Sequence, residues 1–244
     1  MKIIPLSEGR FTIDQTKLFV PFNESTDDLQ SRSSGSLLVE IQPFVVITSK
    51  DVLLLDTGLG YSNADGVLQI KANLIKAGID PNSVTKILLS HLHKDHAGAA
   101  CTPSNGLSFP NAVYYIQERE LNYAFEKGFP SYNTNELIGL QLATNVVLLT
   151  EDEGLIDNYI HYKLTGAHSK FHQVFWIMDE RETIFFGADD APQLQQMKHK
   201  FAAKYDFDGK KAMELRFMWK VKGTNENWTF LFYHDIRSGV HQFL

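Results

Sequence analysis

Runs of apolar residues separated by turn-forming residues dominate the first ninety positions of the chain. Residues 37–49 (LLVEIQPFVVITS) and 52–58 (VLLLDTG) are rich in aliphatic and β-branched side chains, which predicts β-strands. The polar break at 49–51 between them predicts a hairpin. Residues 66–80 instead place apolar side chains three and four positions apart, which predicts an amphipathic helix that ends at Gly78.

The rest of the chain alternates strand-like and helix-like segments. Further strands are predicted at residues 84–90, 112–117, 145–150, 159–166, 173–179, 183–189 and 228–235. Helices are predicted at residues 118–128, 192–205 and 209–223, and a loop with a short helix at 129–141. This mixture predicts one layered α/β domain over residues 1–244, with sheets in the middle and helices outside.

Composition and charge narrow the classes of partner. A hydrophobic content of 43% and a charged content of 21% are typical of a globular protein with a sizeable core. The net charge of −6, without a basic cluster, predicts no nucleic-acid partner. The chain has no apolar run of about 18 residues, and its first residues are too polar for a signal peptide, so we expect no membrane partner and a cytoplasmic location. The single Cys101 excludes an internal disulfide and is interpreted as a small buried residue.

The segment 87–100 (ILLSHLHKDHAGAA) concentrates side chains that bind metals, namely His91, His93, Asp95 and His96. His91 and His93 are two residues apart, so in extended backbone they point the same way and form half of a zinc site. Asp95 and His96 follow at once and do not reach the same metal easily, which predicts two metals side by side. A solvated polar loop is the alternative, but three histidines within six positions argue against it.

Polar residues at the ends of other predicted strands supply further candidate ligands. His168 follows one strand in KLTGAHSKFH, Asp189 follows another in TIFFGADDAP, and His234 ends a third in FLFYHD. An α/β sandwich gathers its active site at such strand ends, so we expect these three side chains near the histidine cluster.

Five of these segments resemble, in order, the motifs of the metallo-β-lactamase superfamily. SHLHKDHAGA is similar to its H-x-H-x-D-H motif, and LLLDTG to its early strand-turn with an aspartate. TGAHSKFH, FFGADD and YHD resemble its third-histidine, bridging-aspartate and last-histidine motifs. The resemblance covers nearly the whole chain and implies an α/β fold of the αββα four-layer sandwich type, with the site along one edge of the two sheets.

The resemblance also implies which residues bind metal. It assigns the first metal to His91, His93 and His168, the second metal to Asp95, His96 and His234, and a bridging position to Asp189. Asp56 in LLLDTG matches an aspartate that orients ligands around the metals. Two departures from the family pattern leave alternatives open. Ala167 before His168 leaves His172 as a rival ligand, and Ala188 before Asp189 leaves Asp190 as a rival bridge.

Such a ligand set predicts hydrolytic chemistry. Two divalent cations that share a carboxylate and a hydroxide lower the pKa of that water toward neutrality, so that it attacks a carbonyl or phosphoryl centre. By resemblance, Asp95 or Asp189 passes a proton to the leaving group. Ligation by histidine and aspartate alone suits zinc, although iron, manganese and cobalt also accept these donors.

Within the superfamily, the segment is most similar to lactonase-type members, including N-acyl homoserine lactonases, whose motif also continues into DHAG. The predicted function is therefore hydrolysis of a small-molecule ester or lactone by a dinuclear metalloenzyme. The alternatives are a glyoxalase-II-like thioesterase or a phosphoesterase, an iron-dependent redox enzyme of the same fold, and a binding module without catalysis. Both a monomer and a homodimer are compatible with the sequence.

Side chains near the motif leave two further interpretations open. Lys94 either steers an anionic substrate or is simply solvated. Aromatic residues either line a substrate pocket or pack in the core, namely those at 19–22, Phe125, Phe129 and Tyr132.

Overall fold

Two six-stranded β-sheets pack face to face at the centre of the structure, a computed structural model that describes residues 1–243. In spatial order, the first sheet consists of β1 (Lys2–Pro5), β5 (Phe44–Ile47), β6 (Val52–Leu55), β7 (Lys86–Leu88), β8 (Val113–Gln117) and β9 (Val146–Leu149). The second consists of β10 (Glu153–Ile156), β11 (Ile160–Leu164), β12 (Gln173–Asp179), β13 (Glu182–Phe186), β14 (Thr229–Leu231) and β15 (Val240–Gln242). A small third sheet has the order β3 (Phe19–Pro21), β2 (Gly9–Ile13) and β4 (Leu37–Ile41). Leu244, the last residue of the predicted domain, lies outside the described residues.

Parallel and antiparallel pairs both occur. Strands β6 to β9 pair in parallel, as does β13 with β14, and the other pairs are antiparallel. The helices are α1 (Gln69–Lys76), α2 (Lys94–Ala97), α3 (Glu118–Lys127), α4 (Ile138–Leu142), α5 (Leu194–Lys198) and α6 (Gly209–Asn225). Short 3-10 turns occur at Leu29–Ser31, Pro81–Ser83, Thr134–Glu136 and Ala188–Asp190. Within residues 1–243, no helix combines the length and the apolar character that a membrane crossing needs.

Side chains that alternate along the buried strands separate the core into layers. In β6, Leu53 and Leu55 point into the core between the two sheets, and Leu54 points into the core beneath α1, α3 and α4. In β12, Phe175 packs between the sheets, whereas Trp176 packs outside them against α5 and α6. Helices therefore cover both outer faces of a central pair of sheets. This confirms the predicted αββα four-layer sandwich.

The prediction of one strand over residues 37–49 was wrong. The segment forms two strands in different sheets, because β4 pairs with β2, whereas β5 pairs with β1 and β6. The break falls at Pro43, which has no backbone N–H to donate to a sheet and restricts the conformation of the residue before it. The third sheet thereby leaves the sandwich and extends over the edge at which the candidate site lies.

The helix predicted over residues 192–205 was also wrong in its length. Only Leu194–Lys198 is helical, and His199 is extended. Arg216 on α6, which is buried, donates hydrogen bonds to the backbone carbonyls of Asp190 and Phe201. A tertiary contact thus fixes the path of this segment, and its side chains line a cavity rather than continuing a helix.

Two glycines bring the loop after β6 against the loop after α2. Gly60 has a φ of +76°, and a Cβ at this position would overlap the carbonyl oxygen of Gly98. A Cβ on Gly98 would in turn overlap the carbonyl oxygen of Leu59. The small residues after the histidine cluster thus allow close approach of two backbones.

We expect Gly60→Ala to lower the free energy of unfolding by more than backbone strain alone explains. Strain at a positive φ costs roughly 1–3 kcal/mol, and the overlap with Gly98 adds to it. Gly66→Ala is a matched control, because Gly66 also has a φ of +76° but would meet no atom within 4 Å. Urea unfolding of both variants measures the difference, and equal losses of stability would contradict the close approach.

Candidate metal centre

The predicted ligands come together where strands of both large sheets end. The histidine cluster follows β7 of the first sheet, and its second half begins the short helix α2 (Lys94–Ala97). In the second sheet, His168 follows β11, Asp189 lies in the turn after β13, and His234 follows β14. The strand predicted at 183–189 ends at Phe186 and the one at 228–235 ends at Leu231, so that Asp189 and His234 are in loops that reach the first sheet.

Three imidazoles form the first group of donor atoms. His93 Nδ1 lies 3.0 Å from His91 Nε2 and 3.1 Å from His168 Nε2. All three nitrogens are within 4.8 Å of one another, which is the spacing expected of side chains that can share one cation. His91 and His168 are buried, and His93 is half-buried at the edge of a cavity.

A second group lies directly beside the first. His96 Nε2 and His234 Nε2 are 3.3 Å apart. Asp95 Oδ2 lies 3.5 Å from His96 Nε2 and 3.4 Å from His234 Nε2. All three residues are buried, and this group offers two imidazole nitrogens and one carboxylate oxygen to a single point, whereas the first group offers three imidazole nitrogens.

Asp189 lies between the two groups, with one carboxylate oxygen toward each. Its Oδ1 is 2.9 Å from His234 Nε2 and 3.1 Å from His96 Nε2, and its Oδ2 is 3.1 Å from His168 Nε2. Asp190, the alternative bridge, points away and accepts a hydrogen bond of 2.7 Å from the backbone N–H of His168.

The rival histidine also lies outside both groups of donor atoms. His172 is buried, and its Nδ1 lies 3.2 Å from Asp190 Oδ2. His172 and Asp190 therefore form a buried pair behind the site. The geometry favours His168 over His172 and Asp189 over Asp190 as ligands.

Asp56 connects the histidine cluster to the strand beside it. Its Oδ2 accepts hydrogen bonds of 2.7 Å from Ser90 Oγ and lies 2.7 Å from His96 Nδ1, and its Oδ1 accepts one of 2.8 Å from the Ser90 N–H. Ser90 Oγ lies 3.0 Å from His91 Nδ1. Asp56 adopts a φ of +56°, a strained conformation that is concentrated at functional sites. This network orients one histidine of each group.

Two further histidines, His168 and His234, are oriented by groups that the sequence did not reveal. His168 Nδ1 lies 2.8 Å from Asp206 Oδ1, and His234 Nδ1 donates to the backbone carbonyl of Glu40 at 2.8 Å. Asp206 follows the segment predicted as a helix and belongs to no motif, and a backbone carbonyl has no residue signal at all. In each neutral ring the proton is thereby held at Nδ1, which leaves the Nε2 lone pair facing the site.

Glu120 is a third such group. It is buried on α3, where its Oε1 accepts hydrogen bonds of 3.1 Å from the Leu92 N–H and from Tyr132 Oη. Its Oε2 accepts one of 3.0 Å from Ser169 Oγ. Leu92 lies between His91 and His93, and Ser169 follows His168, so Glu120 connects the segments of the first group. The sequence did contain a signal for this role, because Glu120 is a charged residue next to Leu121 on the apolar face of the predicted helix.

The charges of the site are those of a cation-binding centre. Burial, reinforced by neighbouring imidazoles, lowers the pKa of His91 well below its usual value. Burial disfavours ionisation of Asp189, but His234 and His96 hold the pKa of its carboxyl well below its usual value. Burial likewise opposes protonation of His96, yet Asp189 and Asp95 raise the pKa of His96 well above its usual value. The carboxylates therefore attract positive charge to this point, as protons or as metal.

The donor set fits divalent metal ions. Asp189 Oδ1 is buried and accepts no hydrogen bond from residues 1–243, and the imidazole nitrogens His234 Nε2 and His96 Nε2 lie 2.9 Å and 3.1 Å from it. An unpaired buried carboxylate oxygen is costly unless a cation compensates it. Imidazole and carboxylate donors without thiolate suit zinc, iron, manganese or cobalt. Cys101 is buried and outside the donor groups of residues 1–243.

A cavity of about 1010 Å³ opens beside the two groups. The third sheet and the segment after α5 form much of its wall, with His93, Asp95, His168, Asp189 and His234 at its base. Among the aromatic candidates, Phe19 lines this cavity. Phe129 is 74% exposed, whereas Tyr132 is buried with its ring centre 4.8 Å from that of His93.

The comparisons with known proteins agree with this geometry. The family model described as "Metallo-beta-lactamase superfamily" matches residues 39–189. Among curated proteins, the chain is 46% identical over 59 residues to the N-acyl homoserine lactonase AttM of Azorhizobium caulinodans, a stretch that is 24% of this chain and 19% of that protein. The chain spans less than two thirds of the length of the curated relatives it matches.

Two solved structures share the fold. A probable metal-dependent hydrolase from Staphylococcus aureus superposes with a TM-score of 0.80 at 19% identity, over 99% of this chain and 91% of that chain. AidC, described as a dizinc quorum-quenching lactonase in complex with a product, superposes with a TM-score of 0.73 at 18% identity, over 98% of this chain and 89% of that chain.

Proposed function

Because the chain belongs to the metallo-beta-lactamase superfamily, we propose that it uses two divalent metal ions to hydrolyse a small-molecule ester or lactone. The proposal includes zinc as the preferred metal, and one domain over residues 1–244. The position of Asp189 carries the proposal, since its two oxygens face two adjacent groups of three donors each. A single cation would leave one of these groups unused.

The chain's own residues prepare the reaction. When bound at such a site, divalent cations supply a water of near-neutral pKa and Lewis acidity toward a carbonyl oxygen. Asp189 and Asp95 contribute negative charge and are the carboxylates placed to carry a proton to the leaving group. The donor atoms of His91, His96 and His234 are held in place by Ser90, Asp56 and Glu40, so that little reorganisation accompanies the chemistry.

The relatives favour a lactone as the scissile group. AttM is an N-acyl homoserine lactonase, and AidC is a dizinc lactonase with a bound N-acyl homoserine product. The cavity of about 1010 Å³ is large enough for a ring with a side arm.

Two measurements on one preparation test the proposal. Metal content is determined by emission spectroscopy on protein purified without added metal, and turnover is measured on lactones, esters, thioesters and phosphodiesters. We expect about two divalent ions per chain and hydrolysis of a lactone or ester. One iron per chain would favour a redox enzyme of the same fold. Failure of metal-replete protein to turn over any of the substrates would favour a binding module.

A further inference from the structure

Lys94 places a positive charge inside the cavity, within the metal-binding motif. It is the first residue of α2, lies between His93 and Asp95, and lines the cavity with its side chain half-buried. Its Nζ lies 5.7 Å from the ring centre of Phe19 and 5.5 Å from that of Phe129. These rings come from two separate parts of the chain, the third sheet and the loop after α3, and both lie near the ammonium group.

Aromatic rings hold this cation without neutralising it. A cation over a ring face is attracted to the ring quadrupole but keeps its full charge. The lysine ion pairs within residues 1–243 involve other lysines, namely Lys86, Lys127, Lys163, Lys210 and Lys222. Lys94 therefore forms none of the ion pairs within residues 1–243 and is available to attract an anion.

The charge of the cavity wall is opposite to that of the whole chain. The chain has a net charge of −6, with 23 basic and 29 acidic residues. Apart from the candidate ligands Asp95 and Asp189, the charged residues that line the cavity are Lys17, Lys94 and Lys204 against Asp14. An excess of one sign of charge within low-dielectric walls concentrates ligands of the other sign.

We infer that the substrate carries an anionic group, a carboxylate or a phosphate, that binds to Lys94 and Lys17 while its ester or lactone group faces the metal centre. This inference rests on the proposed function, and it narrows the substrate class from esters and lactones in general to those with a negatively charged arm. The apolar wall around Lys94, with Ile13, Phe19 and Leu37, suits the methylene groups of such an arm.

Matched esters separate the charge of the arm from its shape. Mono-4-nitrophenyl glutarate carries a terminal carboxylate, and 4-nitrophenyl 5-methylhexanoate replaces this carboxylate by an isopropyl group of similar shape. A third ester with a phosphonate in place of the carboxylate distinguishes the two anions. The measured quantity is the ratio of kcat/KM for the anionic ester to that for the neutral ester, with metal-replete wild-type protein. We expect a ratio well above one that falls as salt is added.

Variants of Lys94 test whether this side chain is responsible for the preference for the anionic ester. We expect Lys94→Met to lower this ratio by about tenfold, mainly through KM, because it retains the apolar stem and removes one partly buried charge. Lys94→Arg keeps the charge and is expected to retain most of the preference. Lys210→Met is the matched control, since the side chain of Lys210 is 81% exposed and lies outside the cavity wall.

The outcomes distinguish this inference from the proposed function. A wild-type ratio near one, or a ratio that Lys94→Met and Lys210→Met change equally, would overturn the inference even though hydrolysis is observed. If metal-replete protein cleaves neither these esters nor any of the lactones, the proposed function fails, and binding of glutarate measured by calorimetry decides the inference alone. Weaker glutarate binding by Lys94→Met than by Lys210→Met supports an anion site, and equal binding refutes it.

Discussion

Asp189→Asn is expected to reduce hydrolysis by about 10³-fold or more and to leave fewer than two metal ions per chain. Asparagine retains the shape of the side chain but lacks the negative charge that faces both donor groups. Metal-activated hydrolysis depends on several kcal/mol of electrostatic stabilisation, and about 1.36 kcal/mol corresponds to each tenfold change in rate. Steady-state kinetics and emission spectroscopy on the same sample measure both quantities.

A second variant and a control complete this experiment. His96→Ala removes a donor of the second group and the partner of Asp56, so it should also abolish activity and lower metal content. Asp65→Asn makes the same chemical change at an exposed loop position outside the cavity wall, and its activity should equal that of the wild type. Full activity of Asp189→Asn or His96→Ala would show that the ligand assignment is wrong.

The fold could be predicted from sequence wherever local patterns and tertiary contacts agree. Strands such as β12 and helices such as α3 and α6 were predicted almost to the residue, because each has a continuous apolar or amphipathic pattern between clear breaks. Prediction failed where distant contacts decide the path. Residues 192–205 have a helical pattern, but hydrogen bonds from Arg216 hold the backbone at Phe201 in another conformation.

The candidate site, too, could be predicted only in part from the sequence. Ligand candidates could be identified because metal chemistry restricts them to a few residue types, placed at the ends of apolar strands. Asp206 and the Glu40 carbonyl could not be identified from the sequence, because their roles depend on contacts with residues far away in the chain. The cavity wall could not be predicted either. It requires the third sheet, which exists because Pro43 separates β4 from β5.

The site also predicts how the protein responds to loss of metal. Seven buried or half-buried side chains hold nitrogen and oxygen atoms close together, with separations such as 3.0 Å between His91 Nε2 and His93 Nδ1. Lone pairs that face one another at this distance repel unless a cation or a proton lies between them. We therefore expect the free energy of the folded protein to depend on metal, since the unfolded chain has no preformed site to bind it.

Removal of metal by a chelator, followed by removal of the chelator, is expected to abolish hydrolysis and to lower the Tm. At a metal concentration of about 1,000 times Kd, binding stabilises the folded state by about 4.1 kcal/mol. For a chain of this size each kcal/mol changes the Tm by about 2–4 °C, so calorimetry should show a decrease of roughly 8–16 °C. Zinc, manganese, cobalt or ferrous ions should restore both properties, whereas calcium, which prefers oxygen ligands, should not.

Asp189→Asn supplies the internal control for this experiment. If the stabilisation arises from cations shared by the two donor groups, the Tm of this variant should respond less to chelation and to added zinc than that of the wild type. A variant that regains as much stability as the wild type would mean that the metal binds elsewhere. An unchanged wild-type Tm after complete metal removal would mean that the buried histidines and aspartates are compensated by protons alone. The raised pKa of His96 would then be the dominant feature of the site, and the dinuclear proposal would fail.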